Sequence, residues 1–168
     1  MSELHAPLAA QWHAAWSGRD PRAFLEICAP DLHYEDPLVV EPLLGTHALG
    51  EHAQRLWRAF PDATMEPTGE PLGSDTWLAL PVRLQGRNTG QLDGLPASHR
   101  ELVLHAVCWC ELDLSRERFW RVRSYYDAHA AAVALGLLPR PGSWRRRAVL
   151  ALQGYGIWGA GESGGLSQ

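Results

Sequence analysis

Two residues in the first quarter of the chain are suited to acid–base chemistry. Tyr34 and Asp36 stand two positions apart in segment 32–37, which reads as a short strand, so their side chains share one face. A carboxylate can take a proton from a carbon next to a carbonyl, and a hydroxyl can donate to the oxygen that gains charge. The pair therefore predicts a base and a donor. Alternatively, Asp36 and Pro37 form a turn that orders the following loop.

Asp127 is a second carboxylate with a possible catalytic role. It follows the last predicted strand and directly precedes a short helix. From the mouth of a pocket it can act as a base, which makes it a candidate catalytic residue. Aspartate is also a favoured N-cap, and strand alternation puts Asp127 on the side of Tyr125, away from Ser124. These two observations favour the capping role.

Histidines give weaker candidates for proton transfer. His33 and His105 can shuttle protons, although a lone histidine in a strand is more often a structural residue. His47 and His52 lie too far apart around one helix to hold a common ligand.

The composition excludes several classes of site. Cys28, Cys108 and Cys110 read as small, reduced core residues, and the chain lacks further ligands at zinc spacing, so we predict no metal site. All 15 basic residues are arginine, which rules out a Schiff-base lysine and a phosphate-loop lysine. The net charge of −4 gives no general attraction to nucleic acid. The sequence has neither an apolar run long enough for a membrane span nor a secretory signal, which predicts a cytoplasmic protein.

Aromatic residues are numerous enough to suggest a cavity. The chain of 168 residues carries eight tryptophans, whose large apolar area suits pocket walls and interfaces. Packing in an ordinary core explains any single one of them at least as well, so the collective excess is what favours a cavity. The aromatic residues predicted to line it are Trp12, Trp16, Trp57, Phe60, Trp77, Trp120 and Tyr126.

The hydrophobic pattern separates helices from strands. Apolar residues at helical spacing predict three N-terminal helices, and period-two patterns predict a strand near 32–37 and a later run of long strands. Within that run, segment 102–112 is almost wholly apolar, which predicts a central strand buried on both faces. A short helix follows from residue 128. This order predicts an α+β domain over residues 1–139, with a helical and glycine-rich extension over 140–168.

Several stretches, in this order along the chain, are similar to SnoaL-like domains of the nuclear-transport-factor-two-like superfamily. They are 31–37 (DLHYEDP), 56–62 (LWRAFPD), 86–90 (GRNTG), 94–96 (GLP) and 134–139 (ALGLLP). The resemblance implies a cone-shaped, cystatin-like fold, in which a curved antiparallel sheet wraps around three N-terminal helices. It also implies a homo-oligomer, a dimer or a tetramer, without metal or cofactor.

The best-known chemistry of that family is an aldol ring closure on polyketides, which needs a base in an apolar pocket. The resemblance places Tyr34 and Asp36 in the pocket, and it puts Ser124 where the family has its acid/base aspartate and Cys108 where it has a histidine. Because serine is no base at neutral pH, we assign the base to Asp36, and Cys108, Ser124 and Tyr126 to ligand binding. The predicted function is binding of a small apolar or carbonyl-bearing molecule, with cofactor-free cyclisation or isomerisation as its possible chemistry. The alternative is a non-catalytic binding or dimerisation domain on the same fold.

Overall fold

A computed structural model describes residues 5–140 and 142–144. The helices occupy the positions that the hydrophobic pattern predicts. They are α1 (His5–Gly18), α2 (Ala23–Ile27), α3 (Thr46–Ala59) and α4 (Ala128–Leu135). The helix predicted after Ser143 and the glycine-rich tail lie outside the described residues, apart from Gly142, Ser143 and Trp144.

The strands form one sheet in the order β2-β1-β7-β6-β5-β3, with β4 beside β5. They are β1 (Cys28–Glu35), β2 (Leu43–Leu44), β3 (Thr64–Pro67), β4 (Leu72–Ser74), β5 (Trp77–Arg87), β6 (Glu101–Leu112) and β7 (Phe119–Tyr126). The sheet is antiparallel except where β1 runs parallel to β7. This corrects the predicted antiparallel sheet, because β1 is antiparallel to β2 on one side and parallel to β7 on the other. A parallel pair needs a long crossover connection, and the chain between β1 and β7 contains α3 and the other strands.

The core lies between the inner face of the sheet and the three N-terminal helices. Trp12 is fully buried, and its ring packs edge-on against Trp16, Phe24 and Phe119 at centroid distances of 5.4 to 5.9 Å. These contacts join α1, α2 and β7 in one aromatic cluster. Edge-to-face aromatic pairs add about 0.5–1.5 kcal/mol each beyond the area that they bury.

The outer face of the sheet is open in the described chain. Inward residues of β6, such as Cys108 and Cys110, are buried, whereas Val103 and Val107 on its other face are exposed. The prediction that this strand is buried on both faces is therefore wrong. Its unbroken apolar composition was typical of a doubly covered strand, yet α4, the helix that contacts β6, borders the cavity on the inner side.

The remaining elements agree with the pattern in sequence. β3 is an edge strand, as its weak pattern predicts. Pro81 lies in β5 between the residues that pair with β3 and those that pair with β4, so its missing N–H removes no ladder bond on that side. None of the helices in residues 5–140 and 142–144 is long and apolar enough to cross a membrane.

Candidate functional site

A cavity of about 140 Å³ lies between the helices and the inner face of the sheet. Its walls come from α1, α3, the inner faces of β1, β5, β6 and β7, the loop after β5 and helix α4. Almost all of its surface is apolar, and the polar side chains gather where β1 ends. The residues that matter for its chemistry are Trp16, Tyr34, Asp36, Trp57, Phe60, Leu92, Cys108, Ser124 and Tyr126.

Strand order explains why the polar residues meet. β7 lies between β1 and β6, so residues of one row across these three strands become neighbours. Tyr34 lies opposite Val122, and Ser124, the next inward residue of β7, lies opposite Cys108. The Ser124 hydroxyl is 3.5 Å from Cys108 Sγ. Residues distant in sequence therefore form one polar cluster, spread over two neighbouring rows of the sheet, inside an apolar cavity.

Asp36 is the centre of a buried chain of hydrogen bonds. Its Oδ2 accepts from the Tyr34 hydroxyl at 3.0 Å and lies 2.9 Å from His52 Nε2 on α3. Its Oδ1 accepts from the Leu38 backbone N–H at 2.7 Å. His52 Nδ1 in turn lies 3.0 Å from an Arg55 guanidinium nitrogen. The side chains of His52 and Asp36 are only 3% and 4% exposed.

These bonds decide the ionisation of Asp36. Burial acts to raise the pKa of its carboxyl, but the hydrogen bond from His52 opposes it most strongly, followed by the bonds from Leu38 and Tyr34. The pKa of Asp36 therefore lies below its usual value, and the group is a carboxylate at neutral pH. This result differs from the raised pKa that an apolar pocket alone would give an isolated carboxyl.

The two tyrosines of the cavity stay protonated. Burial raises the pKa of Tyr34 well above its usual value, and the charge of Asp36 raises it further. For Tyr126, burial and then the same charge raise the pKa. Both phenols are therefore hydrogen-bond donors across the physiological range.

Two tryptophans of the cavity wall differ in their indole N–H groups. The Nε1 of Trp16 is buried and has no hydrogen-bond partner among the described residues, and an unpaired buried donor costs about 1–3 kcal/mol. In contrast, the indole N–H of Trp57 donates to the Trp16 carbonyl oxygen at 2.8 Å. Trp16 therefore contributes apolar ring surface to the cavity, and its N–H lies in the surrounding protein.

Most of the predicted site residues lie on the cavity. The structure brings together two predicted catalytic residues, one in β1 and one directly after it, and six of the predicted ligand-binding residues. These are Tyr34, Asp36, Trp16, Trp57, Phe60, Cys108, Ser124 and Tyr126.

Three predicted lining residues lie elsewhere. Trp12 belongs to the closed core, one helical turn before Trp16, and does not reach the cavity. Trp77 lies on the outer face of the sheet, where it stacks on Trp109 at 4.3 Å. Trp120 also faces outward and packs on His33, because the register shift between β6 and β7 at Glu111 changes the alternation there.

Asp127 is also placed away from the cavity. Its carboxylate accepts a hydrogen bond from the Ala130 N–H at 2.8 Å, which makes it the N-cap of α4. The contacts of Asp127 thus agree with the capping role, and none of them supports the catalytic role. Of the histidines considered as proton shuttles, His105 is exposed on the outer face and His33 contacts Trp120.

His52 and Arg55 are the residues that sequence reasoning missed. A signal existed, because His52 stands three residues after Leu49 and four before Leu56, on the apolar stripe of α3. A histidine on such a stripe needs a buried partner. Its partner could not be read from the pattern, since β1 and α3 meet only in the folded chain.

No cluster of three or more metal-ligating side chains occurs among residues 5–140 and 142–144.

Comparison with known proteins agrees with this architecture. TsrD from Streptomyces laurentii superposes with a TM-score of 0.71 at 18% identity, covering 82% of this chain and 99% of that protein. A Jannaschia sp. CCS1 protein, provisionally described as a SnoaL-like polyketide cyclase, gives 0.72 at 15% identity, covering 83% and 98%. IdmH from Streptomyces antibioticus, provisionally described as a polyketide cyclase, gives 0.67 at 16%, covering 80% and 99%. These likenesses show the shared cone fold of the nuclear-transport-factor-two-like proteins.

No curated protein has a significant match to the chain. The family model for the SnoaL-like polyketide cyclase matches residues 6–135, which include α1, all seven strands and every polar residue of the cavity. On that match, and on the cone fold, the chain belongs to the SnoaL-like polyketide cyclase family.

Proposed function

We propose that the protein binds a small, largely apolar, carbonyl-bearing molecule and moves a proton at the carbon next to its carbonyl, without a cofactor. The observation that carries this proposal is a buried carboxylate, Asp36, at the polar end of an otherwise apolar cavity. The description of its relatives as polyketide cyclases favours a substrate that carries several carbonyls.

The size of the cavity limits the part of the molecule that enters. A dry cavity of about 150 Å³ in another protein holds one benzene molecule, and the cavity here measures about 140 Å³. We infer that a unit the size of one substituted ring enters, and that a larger polycyclic substrate would extend from the mouth.

The oxygens of Asp36 differ in their capacity to take a proton. Each carboxylate oxygen offers about two acceptor positions. Oδ2 is occupied by Tyr34 and His52, whereas Oδ1 accepts from Leu38 alone among the described residues. The remaining position of Oδ1 is our candidate for the base. Ser124 and Tyr126, which also line the cavity, would then donate to or orient the ligand oxygen.

The low pKa of Asp36 limits the chemistry. A carboxylate whose negative charge is stabilised by three donors is a weak base. We therefore expect the proton that it removes to be acidified by the substrate itself, as in a carbon between two carbonyls or between a carbonyl and an aromatic ring.

Exchange of hydrogen for deuterium tests this proposal without the natural substrate. The probe is 2-indanone, a ring-sized ketone whose methylene groups lie between an aromatic ring and the carbonyl. In deuterated buffer the protein should accelerate loss of its methylene signal in NMR. Asp36→Asn should reduce that acceleration at least about 100-fold, which is the lower range of general-base catalysis.

Glu35→Gln is the matched control for this experiment. Glu35 is the neighbouring carboxylate, but it binds Arg121 and Arg123 on the outer face of the sheet. Its loss should leave exchange unchanged. Equal exchange rates for wild type and Asp36→Asn would exclude Asp36 as the base.

A second function is binding without turnover. Two observations favour it: Asp36 already accepts three hydrogen bonds, and Ser124 stands where the family has its acid/base aspartate. It predicts that 2-indanone raises the melting temperature by mass action while its exchange rate stays at the solvent value. Indane, the hydrocarbon of the same shape, should stabilise less, because it offers no oxygen to the hydroxyls of Ser124 and Tyr126. Equal shifts for both compounds would contradict recognition of an oxygen.

We also propose that the chain forms a homo-oligomer, most simply a dimer, through the outer face of the sheet. Val107 of β6 lies between Pro81 of β5 and Tyr125 of β7, and Val107 and Tyr125 are 41% and 57% exposed. Contiguous apolar surface of this kind marks interaction sites.

Light scattering coupled to gel filtration tests the proposed dimer. Val107→Glu should convert the dimer to a monomer because it buries a charge at the interface. Val40→Glu, at an exposed position of the loop after β1, should leave the mass unchanged. A monomeric wild type would reject the proposal.

A further inference from the structure

We propose that His52 is a positioning residue that fixes the Asp36 carboxylate by occupying Oδ2, and that Arg55 selects the histidine tautomer required for this. The inference rests on the function proposed for Asp36 and assigns a role to two residues outside the cavity lining. Neither residue touches the space in which a ligand would sit.

The tautomer follows from the chemistry of the partners. A guanidinium group only donates hydrogen bonds, so His52 Nδ1, 3.0 Å from the Arg55 nitrogen, must be the acceptor. The ring hydrogen of a neutral His52 is then on Nε2, 2.9 Å from Asp36 Oδ2, where it donates. Without Arg55, His52 could adopt either tautomer. The tautomer protonated on Nδ1 would place the Nε2 lone pair against the Asp36 carboxylate.

Position in the fold gives His52 this role. His52 faces β1 from the buried side of α3, and its ring packs 5.7 Å from that of Tyr34. The titratable groups that act on Asp36 are His52 from α3, Tyr34 from β1, Tyr126 from β7 and Cys108 from β6. Of these, only His52 offers a nitrogen donor. Tyr34 and His52 together fill Oδ2, which leaves Oδ1 as the oxygen with an unused acceptor position.

Arg55 is itself held from the other side. Its side chain is 47% exposed, and Nη1 lies 3.7 Å from Asp93 Oδ1 in the loop between β5 and β6. That loop packs against the end of α3. Asn88 donates to the Ala59 carbonyl oxygen, and Gly90 lies so close to the Arg58 carbonyl oxygen that a Cβ at this position would collide with it. The chain of contacts thus runs from Asp93 on the surface to Asp36 in the cavity.

NMR of labelled protein tests the proposal without any substrate. The ¹⁵N signals of His52 in the wild type should show a protonated Nε2 and an unprotonated Nδ1. The ¹³C signal of the Asp36 carboxyl should titrate about one pH unit or more higher in His52→Leu, because a donor to the charged form is lost. In His52→Gln, whose side-chain amide still donates, the midpoint should stay near that of the wild type.

Arg55→Gln and Arg58→Gln separate the tautomer effect from a simple loss of charge. Both remove one positive charge from the same helix, but only Arg55 contacts His52. Arg55→Gln should produce a mixture of His52 tautomers, and Arg58→Gln should not.

Two results would overturn the proposal. One is a wild-type His52 protonated on Nδ1, and the other is an Asp36 midpoint that is the same in His52→Leu and the wild type. Should His52→Leu fail to fold, the tautomer in the wild type and in Arg55→Gln still decides. Failure of 2-indanone to exchange, with these titrations as expected, would reject the proposed catalysis and leave the positioning role intact.

Discussion

The two faces of the central sheet use tryptophan in opposite ways. On the inner side, Trp12 and Trp16 pack edge-on with other rings and are buried by helices. On the outer side, Trp77 and Trp109 stack face to face at 4.3 Å and remain partly exposed. The inner rings build a core with a cavity beside it, and the outer rings build a surface. Residue type alone therefore does not distinguish a pocket wall from an interface.

The largest effect that would test this contrast is expected from Trp12. Trp12→Ala removes the ring that joins α1, α2 and β7, and we expect a loss of about 3–5 kcal/mol in the free energy of unfolding. Urea denaturation followed by circular dichroism measures it. A loss below about 1 kcal/mol would show that the inner cluster is not the main support of the fold.

A smaller effect is expected from the buried carboxylate on the inner side. Because the pKa of Asp36 is lower in the folded chain than its ordinary value of 3.8, its stabilisation is complete above about pH 5. This stabilisation is lost as the pH falls through the pKa that Asp36 has in the folded chain, because the unfolded chain already binds the proton at that pH. The wild type should therefore lose more stability than Asp36→Asn between about pH 6 and about pH 3.

Thermal unfolding at a series of pH values measures this difference. The outer-face variant Glu35→Gln provides the comparison, since the Glu35 pKa is also lowered, through its bond to Arg121, but in an exposed ion pair. Its acid response should stay close to that of the wild type, because exposed ion pairs contribute little. Parallel pH curves for Asp36→Asn and the wild type would contradict a stabilising charge at Asp36.

The smallest effect is expected on the outer face. Trp77→Ala removes one partly exposed ring of the stacked pair, and we expect the isolated chain to lose about 1–2 kcal/mol. The same urea titration as for Trp12→Ala measures it, so the two variants can be compared directly. A loss as large as that of Trp12→Ala would mean that the outer tryptophans are buried in solution, as in a tight dimer.

Much of this arrangement could be predicted from local patterns. The stripe of α3 and the alternation of β5 and β7 are local properties, and they gave the helices, the strands and the inward position of Ser124 and Tyr126. The capping geometry of Asp127 was also local, since its carboxylate bonds a backbone N–H three residues later. The α+β cone was confirmed for the same reason, because each element carries its own periodicity.

Other features depend on contacts between distant segments and could not be predicted. Alternation predicts which residues of β6 share a face, but it does not predict that helices cover only one face of the sheet. The register shift near Glu111 places Trp120 on the outer face, and no residue in that segment indicates the shift in the sequence. The bond from His52 to Asp36 joins α3 to the end of β1, so the polarity of one partner alone could not identify the other.

The three cysteines of the chain carry a consequence for labelling chemistry. All are free and buried, and burial raises the pKa of Cys28 to about 12. Because alkylating reagents attack the thiolate, their reaction must wait for the chain to open. Cys108 alone of the three borders the cavity. The modification rate of Cys28 and Cys110 would therefore report how often the whole core opens. A faster rate at Cys108 would report entry of the reagent into the cavity, and a bound molecule should block that entry.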